Sequence, residues 1–141
     1  LIMGLPGSGK TTQSKALVKI LNAGWLNADL VRKKYNDWKF DLNSRLRQAR
    51  RMRDLSNELL KRKEFVIADF VCPTDETRKI YNPDFVIWMN TLKKSRFSDT
   101  NQIFKKPNKS FVDVEIKKKD SERNKFLILR SPLFCLTLGP G

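Results

Sequence analysis

Residues 4–11 read Gly-Leu-Pro-Gly-Ser-Gly-Lys-Thr and fit the phosphate-loop pattern G-x-x-x-x-G-K-[ST] without a mismatch. Glycines at 4, 7 and 9 let a short loop turn its backbone N–H groups inward, where they meet a phosphate. Lys10 reaches for the β- and γ-phosphates, and the Thr11 hydroxyl suits Mg²⁺. A random chain of this length would match the pattern roughly once in a few hundred. Gly4, Pro6, Gly7, Ser8, Gly9, Lys10, Thr11 and Thr12 are therefore the expected ATP-binding residues. The flanks agree. Apolar Leu1-Ile2-Met3 reads as the end of a strand, and Thr12 to Leu21 carries helical spacing at Ala16, Leu17, Ile20 and Leu21.

Further along, Gly24-Trp25-Leu26-Asn27 reads as a short strand ending at Ala28-Asp29, followed by a basic, turn-like stretch from Val31 to Lys39. The longest helix is predicted over about residues 42–63. Its apolar positions are Leu42, Leu46, Ala49, Met52, Leu55, Leu59 and Leu60, with Asp41 or Asn43 as cap and Arg45, Arg47, Arg50, Arg51 and Arg53 on the other face. Phe65-Val66-Ile67-Ala68-Asp69 and Phe85-Val86-Ile87-Trp88-Met89 are continuous apolar runs, as in parallel strands buried on both faces. Thr91 to Lys106 reads as a basic helix or lid. Val112, Val114 and Ile116 alternate with acids, as on an edge strand. Ser131 to Gly141 has no period and is expected to be an irregular tail. Strand and helix alternate, so the fold class is α/β, a mainly parallel sheet of the P-loop NTPase type flanked by helices. One domain over 1–141, with a lid-like segment at about 91–110, is expected. Only three residues precede Gly4, where such a strand ordinarily runs about five or six, so the chain reads as a fragment.

The chain holds 29 Lys and Arg against 15 Asp and Glu, a formal net charge of +14 in 141 residues. Polyanions are the natural partners: nucleotides first, with nucleic acid left open. There is no histidine, which excludes imidazole bases and imidazole metal ligands and leaves carboxylates, Lys or Tyr to accept a proton. Cys72 and Cys135 are far apart and form no C-x-x-C pair, so both are expected to be buried small hydrophobes. No apolar run approaches a membrane span and no signal peptide is visible, so a cytoplasmic setting is expected.

Ligands of open α/β sheets bind beyond the carboxyl ends of the strands. The informative polar residues there are Asn27-Ala28-Asp29 with Arg32, Asp69 with Cys72-Pro73, and Asn90-Thr91 with Arg96. Asp69 ends an apolar strand, as a Walker-B carboxylate does, and could hold a Mg²⁺-bound water or simply cap a helix. Asp29 could take a proton from an acceptor hydroxyl, hold Mg²⁺, or cap the segment from Leu30. Arg32 and Arg45 suit bidentate anion binding, and Phe40 could stack on a base or staple the start of the long helix.

Taken in order, Gly4 to Thr12, Leu26-Asn-Ala-Asp-Leu-Val-Arg32 and Asp37-Trp-Lys-Phe-Asp41 running into Arg45-Leu-Arg-Gln-Ala-Arg-Arg51 resemble the adenylylsulfate kinase family over roughly residues 1–90. The resemblance implies transfer of the ATP γ-phosphate to the 3′-hydroxyl of adenosine 5′-phosphosulfate, with ATP and Mg²⁺ bound. It implies Asp29 near the Mg²⁺ and the attacking hydroxyl, and Asp29, Arg32, Phe40, Arg45 and Gln48 at the acceptor; with the phosphate loop and the strand-end carboxylate, the expected catalytic residues are Lys10, Asp29 and Asp69, and Thr11, Asp29 and Asp69 are expected near the metal. A homodimer is left open. The chain departs from the family pattern in several places. Asn27 and Ala28 stand for Asp and Gly of L-D-G-D. Cys72, Thr74 and Asp75 stand for Ser, an aromatic and Arg. Asp69 takes a usually uncharged position. The family's lid pattern is not recognisable in residues 95–104, and its F-T-G-I-D-x-P-Y-E segment is missing from 111–141. Two other readings stand beside this one: a P-loop kinase acting on another acceptor, such as a polynucleotide 5′-hydroxyl, and a non-catalytic nucleotide- or nucleic-acid-binding module.

Overall fold

Apolar side chains alternate up and down along each strand, so every strand presents one residue to each face of the sheet. Ile2, Ile67, Ile87 and Ile116 pack on one side with Leu17 and Ile128. Met3, Ala68 and Trp88 pack on the other with Val31, Ala49, Met52 and Tyr81. The computed structural model describes residues 1–137. In order they form β1 (Ile2–Met3), α1 (Lys10–Leu21), β2 (Gly24–Asn27), α2 (Ala28–Tyr35), α3 (Leu42–Leu60) and β3 (Val66–Asp69). Then come α4 (Asp75–Tyr81), β4 (Ile87–Met89), α5 (Ser98–Ile103), β5 (Val114–Ile116), α6 (Ser121–Leu129) and α7 (Pro132–Thr137). The sheet has order β2-β3-β1-β4-β5, and every pairing is parallel. Helices α1 and α6 cover one face, and α3 and α4 the other. Among the described residues no helix is long and apolar enough to cross a membrane.

Four local expectations give way. The stretch from Val31 is helical, not turn-like. Asn27 caps α2 by accepting from Leu30 N, and Asn36 closes it in the left-handed conformation. On α3, Arg45 is 5% exposed while Leu42 is 56% exposed, so the buried stripe is rotated toward Ser44, Arg45, Gln48, Ala49 and Met52. Asp41 does cap this helix, accepting from Ser44 N. Cys72 is buried as expected, but Cys135 is exposed. The first part of the expected irregular tail is the helix α7, whose Phe134 packs its ring on Phe65 and Phe85. Residues 138–141 of that tail lie outside the described residues.

Candidate active site

Strand β1 ends in the centre of the sheet, and the loop after it must reverse within a few residues to start α1. Gly4 makes the turn possible: a Cβ there would sit 2.7 Å from the Met89 carbonyl oxygen at the end of β4. Gly9 caps α1 with φ 97°, a left-handed conformation that costs a side-chain-bearing residue about 1–2 kcal/mol. Thr91 ties the loop to the end of β4 by donating its hydroxyl to Ser8 O at 2.7 Å. Helix α1 begins at Lys10, so its unpaired N–H groups and positive dipole end face the loop, as an anion site requires. Lys10 is 9% exposed and its Nζ donates to Leu5 O at 2.9 Å. Burial pulls its pKa down to about 8, opposed by the charges of Asp69 and Asp29. A phosphate beside this ammonium would replace the water it has lost.

The ends of β2 and β3 lie next to this loop. Asn27 and Asp69 are register partners. Asp69 is 2% exposed. Its Oδ2 accepts from Trp25 Nε1 at 2.8 Å and its Oδ1 from Asn27 Nδ2 at 3.0 Å. Burial raises its pKa, opposed by these hydrogen bonds, one from Ser14, and the Lys10 charge. The Asn27 amide also lies 3.3 Å from Thr11 Oγ1. Asp69 is therefore no helix cap; Thr74 caps the following helix α4. Asp29 is exposed in the first turn of α2, whose cap is Asn27.

On the other side of the cleft stand α2, α3 and the loop between them. Phe40 is 42% exposed, and the guanidiniums of two arginines lie over its ring, Arg32 at 4.4 Å and Arg45 at 5.4 Å from the centroid. Both arginines are 5% exposed. Arg32 donates to Lys39 O at 2.9 Å. Arg45 donates to Phe40 O at 2.7 Å and to Thr100 Oγ1 at 2.8 Å, reaching α5. Burial lowers the pKa of Arg32, and the nearby Arg45 charge lowers it further. Gln48 acts as a brace, donating to Ala28 O and accepting from Arg51.

All of this opens on one cavity of about 910 Å³. Pro6, Gly7, Gly9, Lys10, Thr11 and Thr12 line it, while Gly4 and Ser8 are buried and do not line it. Asp29, Asp69, Arg32, Phe40, Arg45 and Gln48 line the same space. Residues that the sequence did not single out complete the wall. Lys94, Phe97, Asp99 and Thr100 come from the lid-like segment, and Lys119 lays its side chain 3.5 Å from where a Gly9 Cβ would stand. Trp25 was also missed, although its position two residues before Asn27 puts it on the same face of β2.

Among the described residues no three His, Cys, Asp or Glu side chains gather to hold a metal. The donors that are present, the Thr11 hydroxyl and the Asp69 carboxylate, are hard oxygens linked through Asn27. They suit a Mg²⁺ that arrives on nucleotide phosphates rather than one caged by protein.

A phosphate loop leaving the central strand of a 2-3-1-4-5 parallel sheet, with a lined cleft at that end, is an α/β fold of the P-loop kinase type. The chain belongs to the AAA domain family, whose sequence profile it matches over residues 1–81. No curated protein sequence matches it. Solved structures share its fold. The Mycobacterium tuberculosis APS kinase CysC, in complex with AMPPNP and APS, is 20% identical with a TM-score of 0.71, over 90% of this chain and 92% of that one. The protein APE1195 is 21% identical with a TM-score of 0.64, over 97% and 92%. Shikimate kinase from Acinetobacter baumannii, in complex with shikimate, is 18% identical with a TM-score of 0.60, over 94% and 93%.

Proposed function

We propose that this chain is an ATP-dependent phosphotransferase that phosphorylates the 3′-hydroxyl of adenosine 5′-phosphosulfate in a cytoplasmic setting. The observation that carries the reading is the Arg32–Phe40–Arg45 stack on the same cavity as the phosphate loop. A half-exposed aromatic ring offers a face to a purine. Two buried guanidiniums that repel one another gain from an anion set beside them, each by about 1.5–3 kcal/mol through charged hydrogen bonds. The fold likeness to a kinase complexed with AMPPNP and APS supports the same reading.

The roles follow from the chemistry of each group. Loop N–H groups and Lys10 hold the ATP phosphates and stabilise charge on the transferred group. Asp69 has a hydrogen bond on each oxygen, so it is poorly placed to take a proton. Asp29, exposed on the cavity wall, is the carboxylate that accepts the proton of the acceptor hydroxyl. Thr11 and Asp69 would hold Mg²⁺, which when bound neutralises charge on the phosphate oxygens.

The test is ATP consumption with adenosine 5′-phosphosulfate, with a 5′-hydroxyl oligonucleotide, and with no acceptor. The reading expects turnover with the first. Arg45→Ala should then raise the KM for that acceptor about tenfold or more, the loss of one charged hydrogen bond, and leave the KM for ATP nearly unchanged. Turnover with the oligonucleotide alone would favour a polynucleotide kinase. That second reading draws on three exposed cations along the cavity wall, Lys94, Arg96 and Lys119, none of them in an ion pair among the described residues. It expects acceptor binding to fall steeply with salt. ATP binding without turnover on any acceptor would mark a non-catalytic module.

A further inference from the structure

Asp69 is buried, yet both of its carboxylate oxygens are held by neutral donors and not by a cation. Trp25 Nε1 takes Oδ2 at 2.8 Å and Asn27 Nδ2 takes Oδ1 at 3.0 Å. The nearby Lys10 charge offsets the burial of Asp69 only in part, and with the Ser14 hydroxyl also bonded to it the carboxylate still has lone-pair capacity for a cation. The two donors are residues i and i+2 of β2, so they share a face, and Asn27 is the register partner of Asp69. The Asn27 amide lies 3.3 Å from Thr11 Oγ1, while its own Oδ1 is fixed by Leu30 N. A chain of contacts thus runs Trp25, Asp69, Asn27, Thr11, from the sheet to the phosphate loop. It works only with one amide and one carboxylate at the two strand ends. Two carboxylates there would face each other at about 3 Å, which raises the cost of ionising either. Two amides would leave Trp25 and both NH₂ groups competing for two oxygens.

We propose that Trp25 and Asn27 are positioning residues: they aim the Asp69 carboxylate, together with the Thr11 hydroxyl, at a magnesium ion carried in by the nucleotide. The inference rests on the phosphotransferase reading of the cavity. It gives the indole N–H and the Asn27 amide a role that phosphate binding alone does not require. Donors behind a ligand fix its direction, and losing one commonly weakens metal affinity 10- to 100-fold, by about the lower figure for a neutral indole.

The test is equilibrium binding of ATP to the full chain, in magnesium and in EDTA, with a thermal melt of each protein. The wild type should bind ATP more tightly in magnesium. Trp25→Phe removes the indole donor and keeps an aromatic ring. It should lose roughly tenfold of the magnesium gain and leave the EDTA affinity unchanged. Asp69→Asn should abolish the gain. The exchanged pair Asn27→Asp with Asp69→Asn should restore most of it. The hydrogen bond between the two side chains then runs from residue 69 to residue 27, Trp25 Nε1 and Leu30 N keep an oxygen to donate to, and the Thr11 hydroxyl donates to residue 27 where it accepted before. This second arm decides the matter if Trp25→Phe fails to fold. A magnesium gain in Trp25→Phe equal to the wild type overturns the proposal, as does an exchanged pair no better than Asp69→Asn alone. A wild type that binds ATP with no magnesium gain removes the phosphotransferase reading, and this inference with it.

Discussion

Arg78 is the residue whose loss the structure prices most directly. It is 2% exposed, yet it lies in α4 and not in a classical core position. Its Nε donates to Cys72 O at 3.0 Å, and Nη2 donates to Pro73 O at 3.3 Å and to Lys105 O. Its guanidinium lies 5.4 Å from the Phe104 ring centroid, and Asp75 at 3.5 Å is half exposed. One side chain therefore fastens the loop after β3 to the far end of the lid-like segment. Arg78→Ala removes three hydrogen bonds from a charged donor: Cys72 O and Lys105 O lose their donor, while Pro73 O keeps the Lys105 N–H. At the low end of about 1.5 kcal/mol for each bond to a charged group, the gross loss is about 4–5 kcal/mol. Relief from holding a buried guanidinium offsets part of this, so the expected net loss is about 3 kcal/mol, within the range seen when one partner of a buried charged set is removed. Arg78→Lys should recover only part, because an ammonium is a point charge that cannot span three carbonyls. Urea denaturation at 25 °C measures both variants. Arg78→Ala within about 0.5 kcal/mol of the wild type, the range of an ordinary surface change, would refute the clamp.

Three further outcomes are expected. Lys10→Ala should cut phosphoryl transfer by about 100-fold or more while its melting temperature stays at or above that of the wild type, because a partly desolvated ammonium is removed from a loop; retained turnover would sink the phosphate-loop role. Asp29→Asn should lower kcat by at least about 100-fold, the usual share of a general base, with ATP affinity unchanged, whereas Asp69→Asn should act through the magnesium requirement; the opposite pattern would exchange the two roles. The Cys72 thiol is pushed up to about 12 by burial, while Cys135 is exposed. A thiol reagent at pH 8 should therefore label one cysteine in the native protein and the second only in denaturant. Two rapidly reacting native thiols would mean that the loop after β3 is open.

What the sequence revealed depended on how local the signal was. The phosphate loop, β3 and β4 announce themselves because a few consecutive residues carry the whole pattern. The carboxyl-end rule for parallel sheets points to Asp29, Asp69 and Arg32, and the three line one cavity. Helix α2 was hidden because only Val31 and Arg32 of its eight residues are buried, too few to set a period. Helix α6 was hidden in the same way: it buries only Asn124 and Ile128, and Phe126 and Leu127 face outward. Charge sets Arg45 opposite the apolar stripe of α3, yet it is buried because Phe40 O and Thr100 give it partners. Arg78 stays hidden because the groups that bury it are mostly backbone carbonyls, one of them 27 residues away.

The order of strands also governs when the nucleotide site can exist. The loop at residues 4–11 hangs from β1, whose neighbours in the sheet are β3 and β4. Ile2 pairs with Asp69 on one side and Ile87 on the other, and the loop is pinned by Thr91. During synthesis the loop thus leaves the ribosome long before the strands that hold it in shape. Until about residue 91 has emerged, the loop should therefore lack the contacts that shape it. Closing contacts so distant in sequence is slow, so nucleotide should bind late in refolding, after helices α1 and α3 have formed. A ligand that waits for these pairings also reports them: the appearance of ATP affinity would time the closure of the central sheet.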